Sequence, residues 1–261
     1  MENYKGSVNA QGKVFVKKQS SVLARSLMVG GFGFALVFGF ALGLFSILMK
    51  CAGSGQQSDN IVGPLYAVSI VLLIASLIMS MYTSARIMKV KLGTIIGMIF
   101  MYGIANGISF GILFYAIQVT PGNTIQMSDF IVCFLITCAI FGITGFLGTL
   151  LTVRFTLSLG KFLLIATLAY MVVFFVLIMV SLFTKVLNND SIQLWIYGIW
   201  GALMILYILY DFSVIKKSQP FMEMLDSQTQ TKFVFMFGFM LLVNLIQLFW
   251  VVIRIMLRVK R

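Results

Sequence analysis

The sequence predicts an all-α polytopic membrane protein, and three observations carry that prediction. Of its 261 residues 61% are hydrophobic and only 10% charged, with a mean hydropathy of +1.05. A soluble domain averages about a quarter charged residues. Near-continuous apolar stretches of about 20 residues recur along the chain, the length a helix needs to cross the hydrocarbon. The polar residues gather in short connections that leave no room for a soluble domain. There is no alternating pattern of barrel strands, so the whole of residues 1–261 reads as one transmembrane domain.

Seven spans follow from the apolar runs, at about 27–49, 63–85, 92–117, 129–151, 162–184, 193–214 and 233–253. Residues 1–26 form a basic leading segment with Lys5, Lys13, Lys17, Lys18 and Arg25. It precedes a full-length span, so it does not read as a cleavable signal peptide, whose apolar core is shorter. Arg86, Lys89 and Lys91 separate the second and third spans. Arg154 and Lys161 separate the fourth and fifth, and Lys216, Lys217 and Lys232 the sixth and seventh. That places thirteen cations on one side, against Lys50 and Lys185 on the other. Cations favour the cytoplasmic loops, so the N-terminus is expected in the cytoplasm of a cell-membrane protein. Arg254, Arg258, Lys260 and Arg261 break the pattern. Either the last span folds back as a re-entrant segment or it crosses against the local charge rule; the first span usually dominates, which favours crossing.

The net charge of +12 resides in these loops and termini, so it marks membrane orientation and not nucleic acid. The chain has no His, which excludes imidazole metal ligands and a Ser-His-Asp triad. Cys51, Cys133 and Cys138 give no metal spacing, and Cys133 and Cys138 read as small packing residues. No cofactor is implied. Nothing supplies a nucleophile with a base or a paired acid, so an enzyme is not expected.

Gly103, Gly107 and Gly111 recur every four residues in the third span, on one helix face where a neighbouring backbone can approach. Gly39 and Gly43 in the first span, and Gly142, Gly145 and Gly148 in the fourth, read the same way. In the last span Asn244, Gln247 and Arg254 fall at i, i+3 and i+10, and are expected to share one face turned to the bundle interior. That stripe serves either interhelical hydrogen bonding or the lining of a path. Asn106 and Ser109 form a smaller pair in the third span, expected to bond within the packing. Tyr207 and Tyr210 read as belt tyrosines. Asp129 sits where a helix-start carboxylate is favoured. Glu223 and Asp226 read as solvated.

Asp211 is the acid placed most plausibly inside the membrane boundary. A carboxylate there is costly, and at the expected C-terminal end of its helix it also faces partial negative charge. It is either an interfacial acid neutralised by Lys216, Lys217 or Arg86, or part of a functional site.

The stretch Tyr210-Asp211-Phe-Ser-Val-Ile-Lys216-Lys217 resembles the Tyr-Asp-x-x-x-Ile-Lys end of the sixth helix in the transmembrane Bax inhibitor motif family, in its bacterial type. Leu241 to Met256 is similar to that family's last helix, with Asn244-Leu-Ile-Gln247-Leu-Phe249 in place of Asp-Phe-Ile-Asn-Leu-Phe, and Arg254 matching a later Arg. Cys138-Ala-Ile-Phe-Gly-Ile-Thr-Gly resembles the fourth helix, followed by a basic turn and by Leu157, Ser158, Phe162 and Leu163. The resemblance implies six helices wrapped around a central C-terminal helix. It implies a pH-sensitive leak of calcium or other cations, or a non-conducting role as scaffold or regulator of other membrane proteins in quality control. In the family's leak, two aspartates on the sixth and seventh helices share a proton and latch the pore, because neighbouring carboxylates cannot both stay ionised. Asp211 matches the first; Asn244 stands where the second would be. Thr156 stands where relatives often carry an acid. The pore or gate set implied here is Asp211, Asn244, Gln247 and Arg254, with the lipid bilayer as the surrounding partner.

Overall fold

The computed structural model describes residues 7–8, 14–15, 21–53, 59–119, 125–181, 184 and 190–259. A two-residue antiparallel pair, β1 (Ser7–Val8) and β2 (Val14–Phe15), precedes seven helices. These are α1 (Val22–Gly53), α2 (Asp59–Ala85), α3 (Leu92–Val119), α4 (Met127–Leu150), α5 (Val153–Ser181), α6 (Asp190–Glu223) and α7 (Ser227–Val259). Each is long and apolar enough to cross a membrane, as the seven expected spans require. Lys5, Lys13, Lys17, Lys18 and Lys185, and most of the polar connections, lie outside the described residues.

Every helix outruns the apolar segment that announces it, because polar residues extend a helix into water as readily as apolar ones extend it through lipid. α5 starts at Val153 and not near 162, and α6 runs to Glu223 and not 214. Three helices begin on a side chain that accepts from the third backbone N–H, as an N-cap does. Ser21 Oγ accepts from Ala24 N–H at 3.2 Å, Thr152 Oγ1 from Phe155 N–H at 3.4 Å, and Asp226 Oδ2 from Thr229 N–H at 2.9 Å. Asp226 is thus the cap of α7 rather than a merely solvated acid. Asp129 is the acidic half of a capping box, with Gln126 N–H donating to its Oδ2 at 2.9 Å.

α6 continues twelve residues past Asp211 to Glu223. Asp211 is therefore mid-helix, and the expected repulsion at a helix C-terminus does not arise. Lys216 and Lys217 continue the helix, and their ammonium groups reach carbonyls at the α4–α5 turn. Lys216 Nζ donates to Thr149 O at 3.1 Å and Lys217 Nζ to Thr152 O at 2.8 Å. Cations at a helix C-terminus are favourable.

α7 is the centre of the bundle. Of its apolar window 67% is buried, against 6% for α5, which buries only a narrow face against α6. α1, α3, α4 and α6 pack directly on α7; α2 rests mainly on α3, and α5 mainly on α6. The six outer helices therefore form two layers. The aromatic core sits where α1, α3, α4 and α7 converge, with Phe34, Phe38, Phe110 and Phe249 in contact. Cys133 is buried in the same core. The remaining apolar surface, such as Leu164, Ile165 and Val172 at over 60% exposure, is what a bilayer covers. α7 is one unbroken helix of 33 residues, with no turn that a re-entrant segment would need.

The small-residue faces divide. A Cβ at Gly107 would lie 2.6 Å from Phe40 Cβ and 2.9 Å from Val37 O, and one at Gly111 would lie 2.9 Å from Ala41 O. Gly103 faces the Leu36 side chain, so the third-span face packs against α1. Gly145 and Gly148 let α4 approach Leu209 and Phe212 of α6. Gly39, Gly43 and Gly142 meet nothing within 4 Å. Gly39 and Gly43 line an open groove with Ile104 and Ile108, where the spacing alone suggested a contact. A crossing that the spacing did not suggest joins α1 to α7, where Gly30 approaches Gly238 O.

Candidate functional site

Asp211 and Asn244 come together across the α6–α7 crossing. Asn244 Nδ2 donates to Asp211 Oδ2 at 2.6 Å, and the residues are 9% and 4% exposed. The burial follows from their neighbours. Ile208, Ile215, Leu241 and Leu248 lie one helical turn to either side and form the apolar cluster around the pair. An unpaired carboxyl in such a place is expensive, and the amide offsets part of that cost.

None of the cations expected to neutralise Asp211 does so. Lys216 and Lys217 are bound to the end of α4, and Arg86 lies over the Tyr82 ring at 5.4 Å. Lys217 instead completes a polar knot that the sequence reading missed. Its Nζ donates to Ser213 Oγ at 2.7 Å and also bonds Thr156 Oγ1, while the Thr156 and Ser213 hydroxyls meet at 2.6 Å. The i, i+4 spacing of Ser213 and Lys217 was legible; Thr156, 57 residues away from Ser213 in sequence, was not.

Gln247 and Arg254 turn away from this pair. On α7 they stand within about 20° of each other but some 60–80° from Asn244, at 100° per residue. They face a cleft of about 640 Å³ between α2 and α3 on one side and α6 and α7 on the other. The expected single stripe is thus two sites, one buried and one open. Gln247 Oε1 accepts from Trp200 Nε1 at 3.3 Å. The Arg254 guanidinium lies 5.1 Å from the centre of the Tyr197 ring and 5.7 Å from that of Trp250, within cation–π range. On the α3 wall Asn106 Nδ2 donates to Tyr102 O at 2.9 Å, and its Oδ1 accepts from Trp250 Nε1 at 3.4 Å. Ser109 Oγ donates to Ala105 O at 3.0 Å and to Ser69 Oγ at 3.3 Å, so Asn106 and Ser109 bond within the packing as expected. No Asp or Glu is among the described residues that line the cleft.

Tyr207 and Tyr210 serve the α5–α6 contact more than a belt. The Tyr207 hydroxyl bonds Thr167 Oγ1 at 2.8 Å, and the Tyr210 ring covers Gly160.

The sequence family described as Inhibitor of apoptosis-promoting Bax1 matches residues 15–261, which spans all seven helices. No curated protein matches the chain.

Proposed function

Because the chain belongs to the Bax inhibitor family, we propose that it is a gated leak for calcium or other cations in the cell membrane, N-terminus inside, whose inner gate is the Asp211–Asn244 contact. One observation carries this reading. A carboxylate sits at the crossing of α6 and α7 with a neutral amide as its partner and, among the described residues, no cation. Parting of the two helices would expose that carboxylate, and an exposed carboxylate is an oxygen ligand for a hard cation. Gln247 and Arg254 belong to the outer approach.

The amide changes the latch. Two carboxylates hold each other only while they share a proton. An amide N–H donates to a carboxyl oxygen whether or not the acid is ionised. The contact therefore stays closed across pH, and the natural protein leaks little with a flat pH profile. Asn244→Asp restores a pair that needs the shared proton, so its flux rises as pH rises and the proton is lost. Asp211→Asn in that background flattens the profile again. Calcium flux into proteoliposomes, followed between acid and neutral pH, tests this. Asn244→Asp vesicles that behave as the natural protein across that range sink the gate.

A second reading is a non-conducting scaffold or regulator of other membrane proteins in quality control. It is favoured by the cleft, whose described lining lacks an acid and carries the cation Arg254, an arrangement that repels calcium. The same flux assay separates the two. In either reading catalysis is not proposed. The Ser213–Lys217 contact resembles a nucleophile beside a base, but Ser213 is 1% exposed, out of reach of a substrate.

A further inference from the structure

The aromatic cleft has the makings of a ligand site independent of any conduction. Its volume of about 640 Å³ lies within the range of small-molecule pockets, about 300–1,000 Å³. Its walls are apolar along Leu73 and Leu77 of α2 and Ile112 and Leu113 of α3. It opens sideways, because α2 leans on α3 and stands off from α6 and α7. Leu77 on that open side is 51% exposed, and in a bilayer it meets acyl chains.

Charge is confined to one end. Arg254 is the first charged residue after the apolar run from Phe233 to Ile253, which places it at headgroup level. Its guanidinium makes no hydrogen bond or ion pair among the described residues; its contacts are the faces of Tyr197 and Trp250. Stacking on ring faces leaves the N–H edge of a guanidinium for an anion, and that edge matches a phosphate. Arg254 also lines a small separate cavity of about 120 Å³ with Tyr197, Leu257 and Arg258.

We propose that this cleft binds an anionic phospholipid, with its phosphate on Arg254 and an acyl chain laid between Leu73, Leu77, Ile112 and Leu113. The apolar floor beneath the cation is what distinguishes a lipid from a soluble anion, which would gain nothing from it. The charge of Arg254 distinguishes an anionic lipid from a zwitterionic one. Bulk hydrocarbon already solvates an acyl chain, so selectivity rests on the headgroup.

Tryptophan quenching reads the site directly. The chain has three Trp, of which Trp200 and Trp250 line the cleft and Trp195 is 74% exposed. In a Trp195→Phe background, nanodiscs of phosphatidylcholine are doped with either brominated phosphatidylglycerol or brominated phosphatidylcholine at equal fraction. The brominated anionic lipid should associate more tightly by roughly fivefold, the effect of one cation near a membrane surface. Arg254→Gln should bring the two lipids level, and Arg254→Lys should keep a preference. Unbrominated phosphatidylglycerol should restore fluorescence, while inorganic phosphate should not. Equal quenching by both lipids in the Trp195→Phe protein overturns the proposal, as does a full preference retained in Arg254→Gln. Displacement by inorganic phosphate would assign the cleft to a soluble anion instead. Should Arg254→Gln fail to fold, the competition in Trp195→Phe decides alone.

Discussion

Asp211 accepts the Asn244 amide at 2.6 Å across the α6–α7 crossing, and both side chains are shut away from the surroundings. The relationship sets the size of a mutational effect. Interhelical hydrogen bonds in membranes average about 0.6 kcal/mol, because partners are also found in the unfolded reference state. A buried polar group stripped of its partner costs about 1–3 kcal/mol. Asn244→Ala should fall in the second range by reversible unfolding in detergent, and the Asp211→Leu, Asn244→Leu double variant should recover much of the loss. A loss of only a few tenths for Asn244→Ala would make the contact an ordinary packing bond.

Gly107 should tolerate nothing larger. An added Cβ meets Phe40 Cβ at 2.6 Å and a backbone oxygen, Val37 O, at 2.9 Å, so α1 must move away from α3. Gly107→Leu should destabilise the bundle by at least the 1–3 kcal/mol of ordinary overpacking, roughly. Gly39→Ala, which meets nothing within 4 Å, is the matched control and should be silent. Equal thermal stability in detergent for the Gly107→Leu and natural proteins would remove the close contact.

Asp226 links the start of α7 to pH. The hydroxyl of Thr229, and then its N–H, bond the Asp226 carboxylate and hold its pKa below the ordinary carboxylate value. The cap is therefore fully present above the unfolded value of about 3.9, and is lost as pH falls through the lower folded value. The protection of the Thr229 amide, its exchange relative to the intrinsic rate at each pH, should fall in that acid window. In Asp226→Asn, which caps without titrating, the fall should disappear. Persistence of the acid effect in Asp226→Asn would assign it to another group.

Orientation can be read chemically. Cysteines placed at Lys89 or Gln228, or beside Lys18, should react only with reagent on the cytoplasmic side, and one near Gln56 only from outside. The reverse pattern would invert the topology. A cysteine added after Arg261 should label from outside, since α7 runs unbroken across its 33 residues.

The sequence by itself determined the class and the count of helices, since a chain 61% hydrophobic in runs of span length has one way to satisfy its backbone in lipid. It also marked Asp211, because an acid within an apolar run is conspicuous wherever it ends up, and it paired Asp211 with Asn244 through the family resemblance. Only the tertiary structure decided which glycines are contacts. Gly107 and Gly39 sit in similar small-residue repeats, but periodicity fixes a face and not what lies opposite it. The same limit parted Asn244 from Gln247 and Arg254. Their offset around α7 is about 60–80° in helical projection, and whether that is one site or two depends on what stands opposite each arc: Asp211 of α6 for Asn244, the cleft for Gln247 and Arg254. The reach of α6 past Asp211 was hidden for a related reason. Lys216 and Lys217 look like a boundary in sequence, but Lys is a good helix former, and only the fold supplies Thr149 O and Thr152 O, at the α4–α5 turn, as partners for their charges.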